Sequence, residues 1–396
     1  MTSLDLARDL VLAACRPLPI EVVPIADAVG RVLAGPLVAR TDLPPFANSA
    51  MDGFAVTPGP AGRVLRLVGD SFAGRPSTAH VDETTAVRIA TGAALPPNAS
   101  AVVADESATL GDGTVELHID APAGLNVRLP GEDIPTGRTL VDPGTRLGPV
   151  ELAVAIGAGH AQLVCHRRPR VAILATGNEL CPPGGRLAAG QIYDSNTTAL
   201  AGFSTQAGAA VVSRDRVGDD PADTRRACAA ALGQADLLIV TGGVSVGPQD
   251  HVRSALAALG ADERFAGVEV RPGRPAWFGT SAGRPVLALP GNPVAAIVIF
   301  LLLGRPALAA LAGRPPSDAS DRARLTQPAR PNPGRTNVIG VRLGRSSDGA
   351  LDAIPSGPLS AHATSPLLRF DALGILPPGE APLDAGSSVE IVRISG

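Results

Sequence analysis

The chain of 396 residues is 45% hydrophobic and 18% charged, which is typical of a globular protein with roughly two to four domains. Its net charge is −3, only 3% of its residues are aromatic, and all 34 basic residues are arginines without a dense basic run. Because nucleic-acid binding usually requires a basic patch with rings that stack on bases, this composition argues against a nucleic-acid partner.

The cysteines and the apolar segments predict a cytoplasmic protein with no membrane contact. The cysteines are widely spaced and form no metal-binding or redox pair, so we expect buried thiols in a reducing compartment: Cys15, Cys165, Cys181 and Cys228. The segment LAAC that ends at Cys15 looks faintly like a lipoprotein cleavage site, but Asp5, Arg8 and Asp9 interrupt any apolar core of a signal peptide. The longest apolar run, residues 294 to 303, is about half a membrane span.

The N-terminal part alternates between helical and β-type patterns. The first segment predicts an amphipathic helix with three residues on one face: Leu6, Leu10 and Ala13. From Thr41 to about Gly137, runs such as RVLRLVG, TAVRIATG and TVELHI alternate with Gly/Pro/Asp turns, which predicts a small all-β unit. Residues 149 to 164 return to a helical pattern, with three apolar residues expected to be buried: Val150, Val154 and Ile156.

The pattern changes at Arg170. From there to Gly304, apolar strands alternate with helices of ten or more residues, which predicts βαβ units and a parallel sheet. A Pro/Ser/Asp-rich linker begins at Arg314 and leads into a second β-rich block that ends in SSVEIVRISG.

Three loops at predicted strand ends are candidate ligand sites, because open α/β sheets bind ligands at the carboxyl ends of their strands. They are ATGNEL, TGGVSVGPQD and LPGNPVAA. In the second loop, Gly242, Gly243 and Gly247 would let backbone amides approach an oxyanion. The Ser245 hydroxyl and the dipole of the following helix would assist these amides. A tight turn that needs glycine only for its backbone angles is the alternative. In the third loop, Asn292 and Pro293 suit a helix start, so structure alone can explain it.

Carboxylates recur beside these loops and in the β unit: Glu179, Asp219, Asp220, Asp250, Asp52, Glu132 and Asp133. Taken singly, a turn or a helix cap is the commoner explanation for each. Asp52 is the exception, because it lies in an otherwise uncharged tract with apolar flanks. If these acids meet at a phosphate-binding loop, a hard divalent cation must neutralise them, and Mg²⁺ is the natural choice.

Fixed positive charge comes from Arg271 and Arg274 in VEVRPGRPAWFG, where prolines stiffen the loop. Guanidinium groups suit tetrahedral oxyanions through paired hydrogen bonds, although a solvated surface loop is an equal alternative. The six histidines are dispersed, so neither a zinc site nor a nucleophile–His–Asp triad is indicated.

Taken in order, SAMDGFAV, RIATGAALPPNASAVVADE, RLPGEDI, LATGNEL, IYDSN, TGGVSVGPQD, RPGRP and LPGNPVAA make the chain resemble the molybdopterin molybdotransferases. This MoeA family includes the E domain of gephyrin. The resemblance implies a multidomain α/β fold with four parts. These are an elongated helical segment (1–40 plus 138–168), an inserted β-rich domain (41–137), a three-layer molybdopterin-binding α/β domain (169–316) and a C-terminal β-barrel (317–396).

The family's reaction consumes adenylylated molybdopterin and molybdate and gives molybdenum cofactor and AMP. By position, the resemblance implies that Asp220 and Asp250 hold Mg²⁺. The implied substrate and oxyanion contacts are Gly242, Gly243, Ser245, Gly247, Arg271, Arg274, Pro275, Pro290, Pro293, Arg335 and Ser365. Further active-site positions are Asp52, Thr91, Arg128, Asp133 and Glu179.

The resemblance also implies a homodimer with its active site between the subunits, and an adenylyltransferase partner that delivers the substrate. The alternatives are the adenylylation reaction itself, or a non-catalytic paralogue that binds molybdopterin or serves as a scaffold.

The sequence departs from the family pattern at several positions. Arg271 and Arg274 stand where relatives often have lysines, which retains charge but changes shape. Asn178 replaces a common aspartate, Gly267 stands where some members have a basic residue, and GPLSAHATSP matches its barrel motif only loosely.

Overall fold

The computed structural model describes residues 1–244, 251–315 and 321–394. The chain forms two compact units. The larger unit comprises Met1–Glu21, Gly30–Ala34 and Val164–Gly396, and the smaller unit comprises Val22–Val29 and Gly35–Leu163.

The chain opens with helix α1 (Leu4–Ala14), which Ser3 caps by accepting a hydrogen bond from Leu6 N, and continues into strand β1 (Ile20–Pro24). The buried face of α1 is Leu4, Ala7 and Val11, which join the main core of the larger unit. The predicted helix is therefore present, but the predicted face is wrong, because Leu6 and Ala13 are exposed and only Leu10 is partly buried.

The smaller unit is built around a six-stranded sheet, as the alternating pattern of the sequence predicts. Its strands are β2 (Leu37–Val38), β3 (Asn48–Ser49), β4 (Gly53–Val56), β5 (Val64–Ser71), β6 (Thr85–Ile89), β7 (Ala101–Ala104), β8 (Ala108–Leu110), β9 (Thr114–Leu117), β10 (Val127–Arg128) and β11 (Thr139–Val141). The sheet order is β7-β4-β6-β5-β9-β8, and all of its pairs are antiparallel except β5 with β6. The remaining strands form two short pairs, β3 with β10 and β2 with β11.

Helix α2 (Pro149–Gly157) is followed by strand β12 (Gln162–His166), so the second half of the predicted helix is extended. Leu152 and Ala155 form the buried face of α2. Val150 and Ile156, which the sequence predicts to be buried, are 71% and 58% exposed. The error arises because nearly every residue of this segment is apolar, so the pattern does not define a face.

The larger unit contains the expected alternation of strands and helices. Its elements are β13 (Arg170–Thr176), β14 (Leu180–Cys181), β15 (Ile192–Tyr193), α3 (Asn196–Gln206), β16 (Ala210–Val217), α4 (Pro221–Gln234), β17 (Leu237–Thr241), α5 (Val252–Ala258), β18 (Asp262–Ala266), β19 (Val270–Arg271), β20 (Trp277–Ser281), β21 (Arg284–Leu289), α6 (Pro293–Ile299) and α7 (Arg305–Leu311). The sheet order is β16-β13-β17-β21-β20-β18. The first four strands are parallel, and β20 and β18 add an antiparallel edge that the sequence pattern did not reveal.

Alternate residues of the central strands point to opposite faces of this sheet. Ile173 and Ile239 belong to the core that α1, α3, α6 and α7 cover, whereas Leu174 and Val240 belong to the core under α4 and α5. The unit therefore contains the three layers that the resemblance implied.

A π-helical turn, Phe300–Gly304, joins α6 to α7. The resulting helix, Pro293–Leu311, is long and apolar enough to cross a membrane, but 78% of its most apolar 18-residue window is buried inside the protein. That degree of burial is expected of a core helix.

The C-terminal strands β22 (Arg322–Leu325), β23 (Thr336–Arg345), β24 (Leu351–Pro358), β25 (Ala372–Leu376) and β26 (Ser388–Arg393) close into a five-stranded barrel. Each strand pairs with two others of the five, in the cyclic order β23-β24-β22-β26-β25. Strand β19 of the preceding α/β region adds to this barrel beside β23.

Candidate functional site

A cleft of about 620 Å³ lies at the carboxyl ends of β13, β17 and β21, where the sequence predicted a ligand site. It is lined by the loops that follow these three strands, by the start of α3, and by His362 from the barrel. We call it the glycine-turn cleft. Its volume lies within the range of roughly 300–1,000 Å³ that is usual for small-molecule sites.

Gly242 and Gly243 form the turn after β17. Both have left-handed backbone angles, with φ of 87° and 64°. A Cβ at Gly242 would lie 2.6 Å from the carbonyl oxygen of Thr176, and one at Gly243 would lie 2.8 Å from the Thr176 hydroxyl. Glycine is therefore required by both conformation and space. Both glycines line the cleft, and Gly242 N donates to the Leu289 carbonyl at 3.1 Å, which joins the turn to the end of β21.

A buried hydrogen-bond network holds the loops of the cleft together. Asn196 Nδ2 donates to Thr241 Oγ1 at 2.9 Å and to the Gly291 carbonyl at 2.8 Å, which joins the end of β17 to the loop before α6. Thr241 Oγ1 also donates to the Pro290 carbonyl at 3.2 Å. The geometry of the Pro-Gly-Asn-Pro loop is therefore coupled to that of the glycine turn.

Asp194 precedes α3 and is only 2% exposed. Its carboxylate accepts hydrogen bonds from Thr197 N and Thr197 Oγ1 at 3.0 and 2.6 Å, and lies 3.5 Å from Arg216 Nη1. A buried carboxylate with such partners anchors the start of α3.

Glu179 and Asp219 bring negative charge to the cleft. Asp219 Oδ2 accepts from Asn178 N at 3.1 Å, and Asn178 Oδ1 accepts from Asp219 N at 3.2 Å, so these two loops are joined. Asp220 caps α4, because its Oδ1 accepts from Asp223 N at 2.8 Å. Among residues 1–244, 251–315 and 321–394, no group of three or more His, Cys, Asp and Glu side chains forms a ready metal site.

A second cleft, of about 340 Å³, is lined by Arg271, Arg274 and Arg335, and we call it the arginine cleft. Strand pairing explains their meeting: Arg271 of β19 lies opposite Asn337 of β23, which brings the neighbouring Arg335 alongside. In the described part of the chain, none of the three forms an ion pair with a carboxylate. Pro275, Pro290 and Asn292 line both clefts, which therefore adjoin.

In the smaller unit, Asp52 and Thr91 are brought together by the sheet. Gly53 of β4 pairs with Ile89 of β6 in antiparallel register, so the start of one strand lies beside the end of the other. Asp52 Oδ1 accepts from Thr91 N at 2.7 Å and from Thr91 Oγ1 at 3.0 Å. These hydrogen bonds, the backbone one first, lower the pKa of Asp52 and keep it ionised.

Arg128 and Asp133 line a groove of about 390 Å³ in the same unit, together with Leu43, Pro44, Asn48 and Glu132. Arg128 pairs with Asn48 across β3 and β10. Asn48 is buried, and its Oδ1 has no hydrogen-bond partner within the described residues. The groove thus offers a cation and two carboxylates, whereas the Asn48 Oδ1 acceptor is buried.

The remaining predicted residues are placed as follows. Pro293 is the first residue of α6 and lines the glycine-turn cleft. Ser365 begins a 3₁₀ helix and lines neither cleft. Ser245, Gly247 and Asp250 lie outside the described residues.

Four residues that line the glycine-turn cleft are not among the predicted site residues: Tyr193, Asp194, Asn196 and His362. The first three belong to IYDSN, whose strand-then-Asp-Ser-Asn pattern signals a helix cap at a strand end. His362 had no local signal, because tertiary packing alone brings the barrel loop to the cleft.

The comparisons with known proteins agree with this architecture. The sequence matches the MoeA N-terminal region (domain I and II) over residues 2–159, a probable molybdopterin binding domain over 172–310, and the MoeA C-terminal region (domain IV) over 322–394. Molybdopterin molybdenumtransferase 2 of Mycobacterium tuberculosis is 36% identical over 398 residues, which cover 96% of each chain. The molybdopterin molybdenumtransferase of Haemophilus influenzae is 36% identical over 318 residues, covering 79% of this chain and 78% of that one.

Among solved structures, the molybdopterin biosynthesis MoeA protein of Pyrococcus horikosii is similar over 100% of both chains, with a TM-score of 0.82 and 29% identity. The fold is thus that of a family of multidomain α/β enzymes. The chain belongs to the MoeA family, whose curated relatives are named molybdopterin molybdenumtransferase. The resemblance and the fold class predicted from the sequence are confirmed.

Proposed function

We propose that this protein transfers molybdenum from molybdate to adenylylated molybdopterin and releases AMP, the last common step of molybdenum cofactor biosynthesis. The observation that carries the proposal is the junction of the glycine-turn cleft with the arginine cleft through Pro275, Pro290 and Asn292. One cleft suits a phosphorylated organic substrate and the other suits a free oxyanion, so the two reactants would meet where the clefts adjoin.

The arginine cleft supports the oxyanion role. Molybdate is a dianion that must approach a polyanionic substrate, and three guanidinium groups without carboxylate partners in the described structure offset that repulsion. The glycine turn would hold phosphate through backbone amides other than that of Gly242, whose N–H donates to the Leu289 carbonyl at 3.1 Å. The protein's contribution is therefore to bind and orient two anions in contact, which suits a reaction that needs no protein nucleophile.

Mg²⁺ fits the acidic side of the glycine-turn cleft by its donor chemistry. Mg²⁺ commonly binds one or two protein carboxylates together with substrate phosphate oxygens, so a complete protein cage is not needed. Asp220 follows Asp219, which lines the cleft, but is not itself a lining residue; it would be one ligand, because capping α4 uses only its Oδ1. Asp250 is the other candidate and lies outside the described residues. When bound, the ion would neutralise phosphate charge.

Asp52, Thr91, Arg128 and Asp133 are proposed as further active-site residues. In line with the family, we propose a homodimer with each active site between subunits, in the cytoplasm, supplied by an adenylyltransferase. The alternative that this chain itself adenylylates molybdopterin predicts ATP consumption with free molybdopterin.

The decisive experiment incubates the purified protein with adenylylated molybdopterin and Mg²⁺, with and without molybdate, and measures AMP. Molybdate-dependent AMP release is expected. Release that is indifferent to molybdate, or tight binding without turnover, would refute the proposal.

Substitution can separate the proposed metal-binding role of Asp220 from its helix-capping role. Asp220→Asn keeps an equally good cap, so the free energy of unfolding should change by less than about 0.5 kcal/mol, whereas Mg²⁺-dependent turnover should fall at least about tenfold. Asp223→Asn is the matched control, because it removes a half-exposed carboxylate, paired with Arg226, in the first turn of the same helix. Equal activity in both variants would remove Asp220 from metal binding.

A further inference from the structure

Tyr193 is the single tyrosine of the chain, and it lines the glycine-turn cleft. It is 46% exposed, although most aromatic side chains of a folded protein are largely buried. Neither the sequence motifs nor the proposed reaction gives it a role. Among the residues that line this cleft in the described structure, the only other ring with hydrogen-bonding or stacking capacity is the imidazole of His362.

The position of Tyr193 is fixed on several sides. Its hydroxyl donates to the Gly185 carbonyl at 2.8 Å. Its backbone lies in β15, where Tyr193 pairs with Cys181 of β14. The next residue, Asp194, is buried and donates its N–H to the Cys181 carbonyl at 2.9 Å. An exposed ring that is held in this way loses little conformational entropy when it contacts a ligand.

We infer that Tyr193 is a stacking platform for a planar heteroaromatic ring of the substrate, which makes it a specificity-determining residue. The inference rests on the proposed function, whose substrate carries two such rings, the pterin and the adenine. Aromatic side chains bind nucleobase-like rings through their faces, and the glycine turn lines the same cleft, where it would hold the phosphate end. The cleft would thereby select a phosphorylated heteroaromatic compound over a simple phosphate ester.

The test compares Tyr193→Ala and Tyr193→Phe with the wild type and with Leu187→Ala. Leu187 is 40% exposed in the same segment but does not line the cleft, so it controls for loss of exposed apolar surface. Dissociation constants are measured for molybdopterin and for AMP separately. Tyr193→Ala should weaken one of them roughly 5- to 100-fold, the range for loss of an aromatic stacking partner. Tyr193→Phe should stay within about threefold, because the ring remains.

The two ligands distinguish the rings: weaker binding of molybdopterin identifies the pterin, and weaker binding of AMP identifies the adenine. Unchanged binding of both, equal losses in Tyr193→Phe and Tyr193→Ala, or a changed oligomeric state would overturn the inference. Nitration of the single tyrosine in the wild type provides a measurement independent of folding, and either molybdopterin or AMP should slow it. Since binding and nitration require no turnover, they test the inference even if molybdate-dependent AMP release is not found.

Discussion

Asn196→Ala should weaken both the fold and the site, because one buried amide joins the two loops of the glycine-turn cleft. The substitution removes the hydrogen bonds to Thr241 Oγ1 and to the Gly291 carbonyl. Thr241 Oγ1 keeps the Pro290 carbonyl as its partner at 3.2 Å, so the larger loss is the hydrogen bond to the Gly291 carbonyl. A buried acceptor without a partner costs about 1–3 kcal/mol, and the small cavity adds to that cost. We expect the free energy of unfolding to fall by about 2–3 kcal/mol.

The assay is urea unfolding together with the KM for adenylylated molybdopterin. The KM should rise because the Pro-Gly-Asn-Pro loop is no longer fixed relative to the glycine turn. Thr198→Ala is the control, since Thr198 is exposed on the same helix and its replacement should change stability by less than about 0.5 kcal/mol. A stability loss below about 0.5 kcal/mol in Asn196→Ala, with a wild-type KM, would show that the network does not position the loops.

Three further predictions concern charge. Burial raises the pKa of Asp236, but hydrogen bonds from Arg167 and Arg170 outweigh it and lower the pKa to about 2. This folded-state pKa lies below the unfolded value of 3.8. The carboxylate should therefore add about 1–2 kcal/mol to the free energy of unfolding above pH 4, and this contribution should be lost as the pH falls toward 2. Asp236→Asn should flatten that part of the stability curve in acid unfolding. Thr91→Ala removes one of the bonds that lower the pKa of Asp52, so the acid limb of the activity–pH profile should move to higher pH. An unmoved limb would exclude Asp52 as the titrating group. Phenylglyoxal, which modifies arginine, should inactivate the enzyme, and molybdate should slow the loss; equal loss with and without molybdate would contradict an oxyanion role for the arginine cleft.

Local patterns were sufficient to predict the alternation of parallel strands and helices after Arg170. The helices that begin at Asn196, Pro221 and Pro293 start at a polar cap segment or a proline, and the apolar strands of the parallel sheet appear as continuous runs. By contrast, β20 has no strand signal in the sequence, because Pro272 and Pro275 precede it and its burial depends on pairing with β21. Faces of uniformly apolar helices such as α2 were also not predictable, since no polar residue marks the exposed side.

The candidate site was predictable only where a residue type carries its own chemistry. The sequence named Gly242 and Gly243 from their turn, and Arg271 and Arg274 from fixed charge in a loop that prolines stiffen. Asn196 was not, because an amide that bonds to two loops distant in sequence has no local signal. Asp220 shows the reverse difficulty: its capping role follows from the next residue being proline, and that local role neither requires nor excludes a second role toward a metal ion.

The absence of lysine has a consequence for the alkaline behaviour of the arginine cleft. Guanidinium groups stay protonated at any pH at which the protein is folded, whereas an ammonium near other cations titrates below its usual pKa of about 10.4. The wild type should therefore keep its affinity for molybdate up to about pH 10. Arg274→Lys should bind molybdate almost as well at pH 7 but lose affinity between about pH 9 and 10, as the introduced ammonium becomes neutral beside Arg271 and Arg335. Equilibrium binding of molybdate across this range measures the difference. Parallel curves for the two proteins would mean that position 274 does not contact the oxyanion.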